Sequence, residues 1–157
     1  MDNYYTKATD FYGDKTPETL IEKYGSPLYV YNESILRQRC HEMISFVSYP
    51  NFTVNYSSKA NSNLEILRII RQEGLHADAI SPGEAYVLLQ AGFKNHEIFY
   101  ISNNISKDEM LWVIEQGICL SVDSLSQLRK FGEINPGGDV AIRLNPGIGV
   151  GHHKKVI

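Results

Sequence analysis

Short apolar runs separated by stretches of helical character dominate the hydrophobic pattern after residue 50. The runs predict five strands: Phe52–Ser58, His76–Ser81, Glu97–Ser102, Ile118–Val122 and Asp139–Asn145. Their starts advance by 21 to 24 residues, which leaves room for one short helix between neighbouring strands. Strands that alternate with helices in this way pair in parallel through right-handed crossovers. The pattern therefore predicts an α/β fold.

The predicted helices carry recognisable signals at both ends. Serine and glutamate three residues apart match the capping box, in which each side chain accepts a hydrogen bond from an early helix amide. These pairs are Ser62 with Glu65, Ser81 with Glu84, and Ser106 with Glu109. Glycines suited to the left-handed conformation follow the helices: Gly74, Gly92, Gly117 and Gly132. Because the capping box accounts fully for Glu84, we prefer a structural role for that residue.

Three architectures share this alternation. A leucine-rich solenoid has a similar period but needs an L-x-x-L-x-L signature, which the sequence lacks. A doubly wound open sheet is a closer rival, although no G-x-G-x-x-G turn follows any predicted strand. A TIM-like (β/α)8 barrel is therefore favoured, although the chain carries only about five of the eight strands that close such a barrel.

The first 50 residues differ in character from the repeats. Pro17 begins a short helix, and Pro27–Tyr31 has the composition of a strand whose proline occupies the tolerated first position. A second helix is predicted over Glu33–Phe46. We therefore divide the chain into an N-terminal segment, residues 1–31, and the barrel repeats, residues 32–157. The N-terminal segment is expected to pack outside the barrel or beside a second domain.

Composition and charge narrow the class of partner. The net charge of −3 provides no basic surplus for nucleic acid, and no apolar run approaches the length of a membrane span. Cys40 and Cys119 are isolated, so neither a disulfide framework nor a metal cluster is indicated. The first residues lack the layout of a secretory signal. We expect a cytoplasmic protein.

Lys59 is the leading candidate for chemistry. It follows the first predicted strand, whose alternate residues Phe52, Val54 and Tyr56 suit a buried parallel sheet. Such sheets carry their functional groups at the carboxyl ends of the strands, and a lysine there can act as an amine nucleophile. The alternative is a solvated lysine of no function, because lysines are common at strand ends.

Five segments, taken in order, resemble motifs of a known family. They are Pro27–Tyr31, Tyr56–Asn61, Ala77–Glu84, Arg143–Pro146 and Gly151–Lys155. Each is weak alone, but their order and spacing are similar to those of the fold-type III pyridoxal-phosphate-dependent decarboxylases, whose barrel is of the alanine racemase type. The resemblance extends over most of the chain from Pro27 onwards and includes the whole of the repeat region.

The resemblance implies roles for particular residues. Pyridoxal phosphate would be the cofactor, and Lys59 would bond covalently to it. Asp78 and Arg143 would contact the cofactor, although Asp78 could instead cap the following turn and Arg143 could hold neighbouring groups or a carboxylate. His152 and His153 would belong to a loop that binds substrate, and their spacing suits no metal site.

Two departures from the family pattern affect the interpretation. Ser57 stands where the family motif usually has alanine, and we expect the small serine to be tolerated there. Family members are also much longer, and their glycine-rich phosphate loops and second, all-β domain have no counterpart in this sequence. We therefore expect the chain to be the amino-terminal part of such an enzyme and to be inactive alone. The predicted strand Pro27–Tyr31 would join the second domain.

The implied reaction is the decarboxylation of an amino acid by a homodimer. Among the possible substrates, the segments Arg143–Pro146 and Gly151–Lys155 favour meso-diaminopimelate, which would give L-lysine and carbon dioxide. Carboxynorspermidine, ornithine and arginine decarboxylation are the close alternatives. A barrel protein that holds pyridoxal phosphate without turnover and a partner-binding half that has lost the cofactor also stay open.

Overall fold

A computed structural model describes residues 10–101 and 103–144 of the chain. These residues form one five-stranded sheet in which all neighbouring strands are parallel. The strands are β1 (Asn55–Ser57), β2 (His76–Ala79), β3 (Ile98–Ile101), β4 (Cys119–Val122) and β5 (Ala141–Ile142). Each lies inside its predicted run, so the five predicted strands are confirmed with shorter bounds.

The strands follow one another in the sheet in the same order as in the sequence. Each new strand is therefore added at the same edge, whereas a doubly wound sheet reverses direction at a switch point. The register is equally regular, with Ser57 opposite Asp78 and Asp78 opposite Phe99. The described residues thus form part of the wall of a (β/α)8-type barrel.

Two helices precede the sheet, and one helix follows each of the first four strands. They are α1 (Pro17–Tyr24), α2 (Glu33–Ser45), α3 (Leu64–Gln72), α4 (Pro82–Ala91), α5 (Lys107–Glu115) and α6 (Leu125–Ile134). Among the described residues, no helix is both long enough and apolar enough to cross a membrane.

The helix starts confirm two of the three predicted serine caps. The hydroxyl oxygens of Ser81 and Ser106 each accept a hydrogen bond from the amide three residues later, but neither Glu84 nor Glu109 completes the predicted capping box. At α3 the predicted cap Ser62 is wrong, because the side chain of Asn63 accepts hydrogen bonds from the amides of Glu65 and Ile66. Asparagine caps helices as well as serine does, and here it lies one residue closer to the helix.

The helix ends agree with three of the four predicted glycines. Gly74, Gly92 and Gly117 lie within two residues of a helix end and have φ of 87°, 95° and 67°, a region that favours glycine. Gly132 lies inside α6, so its prediction as a helix end is wrong. A single glycine costs a helix only about 1 kcal/mol, and α6 continues until Ile134.

The core lies between the sheet and the helices. The strand residues that face the helices are apolar and almost wholly buried: Ala77, Ala79, Ile98, Tyr100, Leu120 and Val122. They belong to one cluster with the helix residues Leu67, Ile70, Leu88, Met110 and Val113. Side chains alternate across a strand, so the intervening residues point to the opposite face of the sheet.

Ionic contacts attach α2 to the end of α3. Arg37 of α2 pairs with Glu33 one turn earlier and with Glu73, which directly follows α3. His41 Nε2 lies 2.7 Å from the second oxygen of the same Glu73 carboxylate. Because the Glu73 side chain is only 10% exposed, these contacts are better shielded from water than ordinary surface pairs. They hold α2 against the outside of the barrel wall.

The segment Pro27–Tyr31 pairs with no strand among the described residues and lies outside every helix and strand there. A β-strand is stabilised by hydrogen bonds to a neighbour, and the neighbour expected for this segment belongs to a second domain. The strand therefore stays a prediction. The side chains of Tyr29 and Tyr31 remain 86% and 55% exposed.

Candidate active site

A cavity of about 440 Å³ opens on the inner face of the sheet, towards the carboxyl ends of the strands. All five strands, or the turns that follow them, contribute to its wall. The polar and charged groups among the lining residues include Ser57, Lys59, Asp78, Asn103, Ser121 and Arg143. Phe99 and Ile101 of β3 supply much of its apolar surface.

Lys59 lies in a short 3-10 turn, Ser58–Ala60, that directly follows β1. Its side chain is exposed, and among residues 10–101 and 103–144 none forms a hydrogen bond or ion pair with its ammonium group. The amine is therefore available to a molecule in the cavity, as a nucleophile or a hydrogen-bond donor.

The turn that carries Lys59 is held from both sides. The side-chain Nδ2 of Asn61 donates a hydrogen bond to the hydroxyl oxygen of Tyr31, 2.9 Å away, in the N-terminal segment. Burial raises the pKa of the Tyr56 hydroxyl, which stays protonated and donates to the carbonyl of Asn61 at 3.3 Å. These contacts restrict the position of the turn and therefore of the Lys59 backbone, from which the side chain extends.

Asp78 lies within β2 and is only 8% exposed, yet it lines the cavity. Its Oδ2 accepts a hydrogen bond of 2.8 Å from the hydroxyl of Ser57 on β1. Its alternative role, capping the following turn, is not observed, because Ser81 caps α4. The carboxylate is thus presented to the cavity rather than used in a turn.

Arg143 directly follows β5 and is anchored by its backbone and its side chain. Its amide donates to the carbonyl of Val122 at 2.8 Å. Its Nη1 donates to Oδ1 of Asn103, 2.9 Å away, in the turn after β3. Since the side chain is exposed at the cavity mouth, the guanidinium presents a fixed positive charge to that space.

Glu84 does not complete the capping box that the sequence predicts. Its amide donates to the hydroxyl oxygen of Ser81, but its carboxylate does not accept a hydrogen bond from the Ser81 amide in return. Oε2 accepts hydrogen bonds from the hydroxyl of Ser58 at 3.0 Å and from the amide of Ile80 at 2.9 Å. Because Glu84 lies in α4 and Ser58 lies in the turn that carries Lys59, their hydrogen bond attaches the turn to α4.

The structure brings three of the five predicted site residues to one cavity. Lys59, Asp78 and Arg143 line it together. His152 and His153 lie outside the described residues.

Two polar contacts at this site do not follow from the sequence patterns. The sequence indicates only that Ser57 is a tolerated replacement for alanine, and it assigns no role to Asn103. The available signals were the departure from the family motif at Ser57 and the position of Asn103 just after a strand end, where polar side chains of a parallel sheet meet.

Comparison with known proteins identifies the family. A family profile described as "Pyridoxal-dependent decarboxylase, pyridoxal binding domain" matches residues 34–156. A diaminopimelate decarboxylase from Methanothermobacter thermautotrophicus is 42% identical over 141 residues, which cover 88% of this chain and 33% of that protein. The corresponding protein from Bacillus subtilis is 34% identical, over 82% of this chain and 31% of its own length. The chain spans about a third of the length of these curated relatives.

Solved structures give the same result for the fold. The crystal structure of diaminopimelate decarboxylase from M. jannaschii superposes with a TM-score of 0.69 at 31% identity and covers 83% of this chain and 33% of that one. The enzyme from Helicobacter pylori, complexed with L-lysine, superposes with a TM-score of 0.72 at 28% identity, over 76% and 30% of the two chains. The predicted barrel class is therefore confirmed. The chain belongs to the pyridoxal-dependent decarboxylase family, whose cofactor is pyridoxal phosphate.

Proposed function

We propose that this chain is part of an enzyme that converts meso-diaminopimelate into L-lysine and carbon dioxide. The observation that carries the proposal is the shared cavity, where the Lys59 amine, the Asp78 carboxylate and the Arg143 guanidinium meet at the carboxyl ends of parallel strands. The choice of substrate is supported by the relatives named diaminopimelate decarboxylase, which are 42% and 34% identical to this chain.

The residues present fit pyridoxal phosphate. The cavity volume of about 440 Å³ falls within the range of roughly 300–1,000 Å³ that is usual for small-molecule and cofactor sites. Lys59 offers an amine for an aldehyde, and Phe99 offers apolar surface for a flat ring. Asp78 and Arg143 offer opposite charges, which suit a ligand that carries both hydrogen-bond donors and acidic groups.

Each residue has a chemical task in this proposal. When bound, pyridoxal phosphate supplies an aldehyde that bonds to amines and a ring that takes up the electron pair left by departing carbon dioxide. Lys59 would hold the cofactor through Nζ and could hold or return a proton at the same atom. Asp78 accepts hydrogen bonds, Arg143 orients a carboxylate or phosphate, and His152 and His153 bind the substrate.

We propose that the N-terminal segment, residues 1–31, packs against a second domain, while residues 32–157 belong to the barrel. Apolar side chains of this segment are exposed, with Tyr24 at 60% and Tyr29 at 86%. Leu20, Ile21 and Leu28 line a groove of about 300 Å³ beside them. Exposed apolar surface of this kind is usually covered in the complete molecule.

We further propose that the complete protein is a cytoplasmic homodimer that binds neither nucleic acid nor membranes. Cys40 and Cys119 are free thiols, as is usual in a reducing compartment. The net charge of −3 supports a small-molecule substrate over a nucleic acid. The subunit composition is measured by light scattering of the protein expressed from its complete gene, and a monomer with full activity would contradict this part.

The decisive experiment uses the protein expressed from its complete gene. After addition of pyridoxal phosphate, borohydride reduction should fix the cofactor to the protein, and peptide mapping should find the label on Lys59. Incubation with meso-diaminopimelate should release L-lysine and carbon dioxide in equal amounts. Lys59→Ala should abolish the label and reduce turnover by several orders of magnitude, and Lys59→Arg, which keeps the charge but not the nucleophile, should behave in the same way.

Three results would contradict the proposal in different ways. A label on another lysine would overturn the role of Lys59. A labelled protein that releases carbon dioxide from ornithine or arginine, but not from meso-diaminopimelate, would change the substrate while leaving the reaction type intact. A labelled protein without any decarboxylation would point to a barrel that carries the cofactor without turnover.

A further inference from the structure

The Asp78 carboxylate has fewer partners than its burial requires. It is 8% exposed, and its one hydrogen bond within residues 10–101 and 103–144 comes from the neutral hydroxyl of Ser57. No ion pair reaches it from that part of the chain. Burying a carboxylate is costly unless several donors or a cation compensate for the lost water. The free acceptor capacity of Asp78 is therefore available to whatever occupies the cavity.

The register of the sheet explains why Ser57 makes this contact. Ser57 and Asp78 are directly paired residues of the parallel strands β1 and β2. Side chains of paired residues point to the same face, and neighbouring strands lie about 4.8 Å apart. A serine hydroxyl spans this gap to Oδ2 at 2.8 Å, whereas the alanine of the family motif has no donor to place there.

We infer that Ser57 is a positioning residue of the cofactor site, which fixes the Asp78 carboxylate so that its second oxygen faces the cavity. The inference rests on the proposed function, since it assumes that pyridoxal phosphate occupies the cavity. Ser57 binds one oxygen and thereby sets the rotation of the carboxylate. Without that hydrogen bond the carboxylate can rotate, and each cofactor-binding event must order it again.

The contact is not needed to hold β1 against β2. The backbone ladder already pairs three successive residues of the two strands, from Asn55 with His76 to Ser57 with Asp78. Ser57 is only partly buried and lines the cavity. Removing its hydroxyl should therefore affect binding in the cavity more than it affects folding.

Threonine and valine provide a matched test, because they have the same shape and differ only in the hydroxyl group. We would prepare Ser57→Thr and Ser57→Val in the protein expressed from its complete gene and remove the cofactor. Pyridoxal phosphate affinity is then measured by titration of the visible absorption band. Ser57→Thr should bind within about threefold of the unaltered protein, and Ser57→Val about tenfold more weakly, as expected for one hydrogen bond to a charged group.

Double variants test whether the Ser57 hydroxyl affects cofactor affinity through Asp78. In proteins that also carry Asp78→Ala, the difference between Ser57→Thr and Ser57→Val should disappear, because the acceptor is gone. A difference that persists in the Asp78→Ala proteins would overturn the inference. Equal affinities of Ser57→Thr and Ser57→Val in proteins that keep Asp78 would overturn it too. If either β-branched variant fails to fold, Ser57→Ala against the unaltered protein makes the same comparison in both backgrounds.

Failure of the inference about Ser57 can be distinguished from failure of the proposed function. If the unaltered protein binds no pyridoxal phosphate, the proposed function fails and the titrations show it at once. If it binds the cofactor on Lys59 while Ser57→Thr and Ser57→Val bind equally well, only the role of Ser57 is overturned. The titration measures binding alone, so it does not depend on which amino acid is the substrate.

Discussion

The two faces of the sheet use the same strands for different purposes. On β2, Ala77 and Ala79 are wholly buried in the core, while Asp78 between them lines the cavity. On β3, Tyr100 is wholly buried towards the helices, and its neighbour Phe99 faces the cavity. The outer face is apolar and packed, whereas the inner face is mixed in polarity and partly open. The comparison shows that the strand alternation itself separates stability from chemistry.

The same separation occurs between two adjacent serines. Ser57 donates to Asp78 in the cavity, and Ser58, which is 1% exposed, donates to Glu84 of α4 on the other side. A shift of one residue in the register would exchange the two faces and destroy both arrangements. Changes on the outer face should therefore reduce stability, and changes on the inner face should reduce binding. Stability and cofactor affinity of each variant are measured in the protein expressed from its complete gene.

The largest effect on stability is expected from Leu88→Ala on the outer side. Leu88 of α4 is 0% exposed, so its truncation leaves a cavity in the core and should lower the free energy of unfolding by about 2–5 kcal/mol. Gln90→Ala, at an exposed position of the same helix, is the control and should change it by less than about 0.5 kcal/mol. Chemical denaturation measures both. Cofactor affinity of the folded Leu88→Ala protein should be unchanged, and a large loss would break the separation of the two faces.

A smaller loss is expected from Tyr100→Phe. The buried Tyr100 hydroxyl donates to the Glu109 carboxylate, which is left without that donor, and the free energy of unfolding should fall by about 1–3 kcal/mol. Burial, and next the Glu109 carboxylate, raise the pKa of Tyr100 above its usual value.

The raised pKa of Tyr100 has a consequence for pH dependence. The folded protein keeps the hydroxyl protonated, whereas in the unfolded chain it ionises near pH 10. Its contribution to stability is therefore complete below pH 10 and is lost as the pH rises further. Denaturation of Tyr100→Phe between pH 7 and 11 should show a smaller decline above pH 10 than the unaltered protein. An identical decline in both proteins would contradict this reasoning.

The outer face and the order of the elements could be predicted from the sequence because they follow from local rules. Apolar alternation gave the five strands, and Ser81 and Gly92 marked the two ends of α4. Errors arose where two residues compete for one task, as Ser62 and Asn63 do at the start of α3. The strand expected over Pro27–Tyr31 stays a prediction, because it requires a neighbouring strand that the described residues do not include.

The inner face was harder to predict because its contacts join residues that are distant in sequence. Lys59 could be found from its position after a strand and from the motif around it. The partner of Asp78 could not, since Ser57 reaches it only through the pairing of β1 with β2, 21 residues apart in the chain. The Glu84 carboxylate likewise has a partner that the sequence did not indicate, because it accepts from the distant Ser58 hydroxyl as well as from the nearby Ile80 amide.

Ser58→Ala tests the difference between the two serines. It removes one of two donors to Glu84 Oε2 at a buried position, so the free energy of unfolding should fall by about 1–2 kcal/mol. Ser57→Ala should cost less than about 1 kcal/mol, because Ser57 is partly open to the cavity. Denaturation measures stability, and cofactor titration should show the reverse order of effects. If Ser58→Ala weakens cofactor binding more than Ser57→Ala does, without loss of stability, the assignment of the two serines is wrong.

The smallest effect is expected at Asn103, where the inner face meets solvent. Asn103 and Arg143 are both exposed, so losing their hydrogen bond in Asn103→Ala should change the free energy of unfolding by less than about 0.5 kcal/mol. The Arg143 side chain then loses the contact that orients it, and pyridoxal phosphate affinity should fall a few-fold. Asn103→Gln keeps an uncharged carbonyl acceptor for Arg143 and is the control, with affinity closer to that of the unaltered protein. Equal affinities in Asn103→Ala and Asn103→Gln would mean that Arg143 needs no orienting contact. In that case, the inner face would depend on the hydrogen-bonded pair Ser57 and Asp78 and on Lys59, and the cavity mouth would contribute charge without fixed geometry.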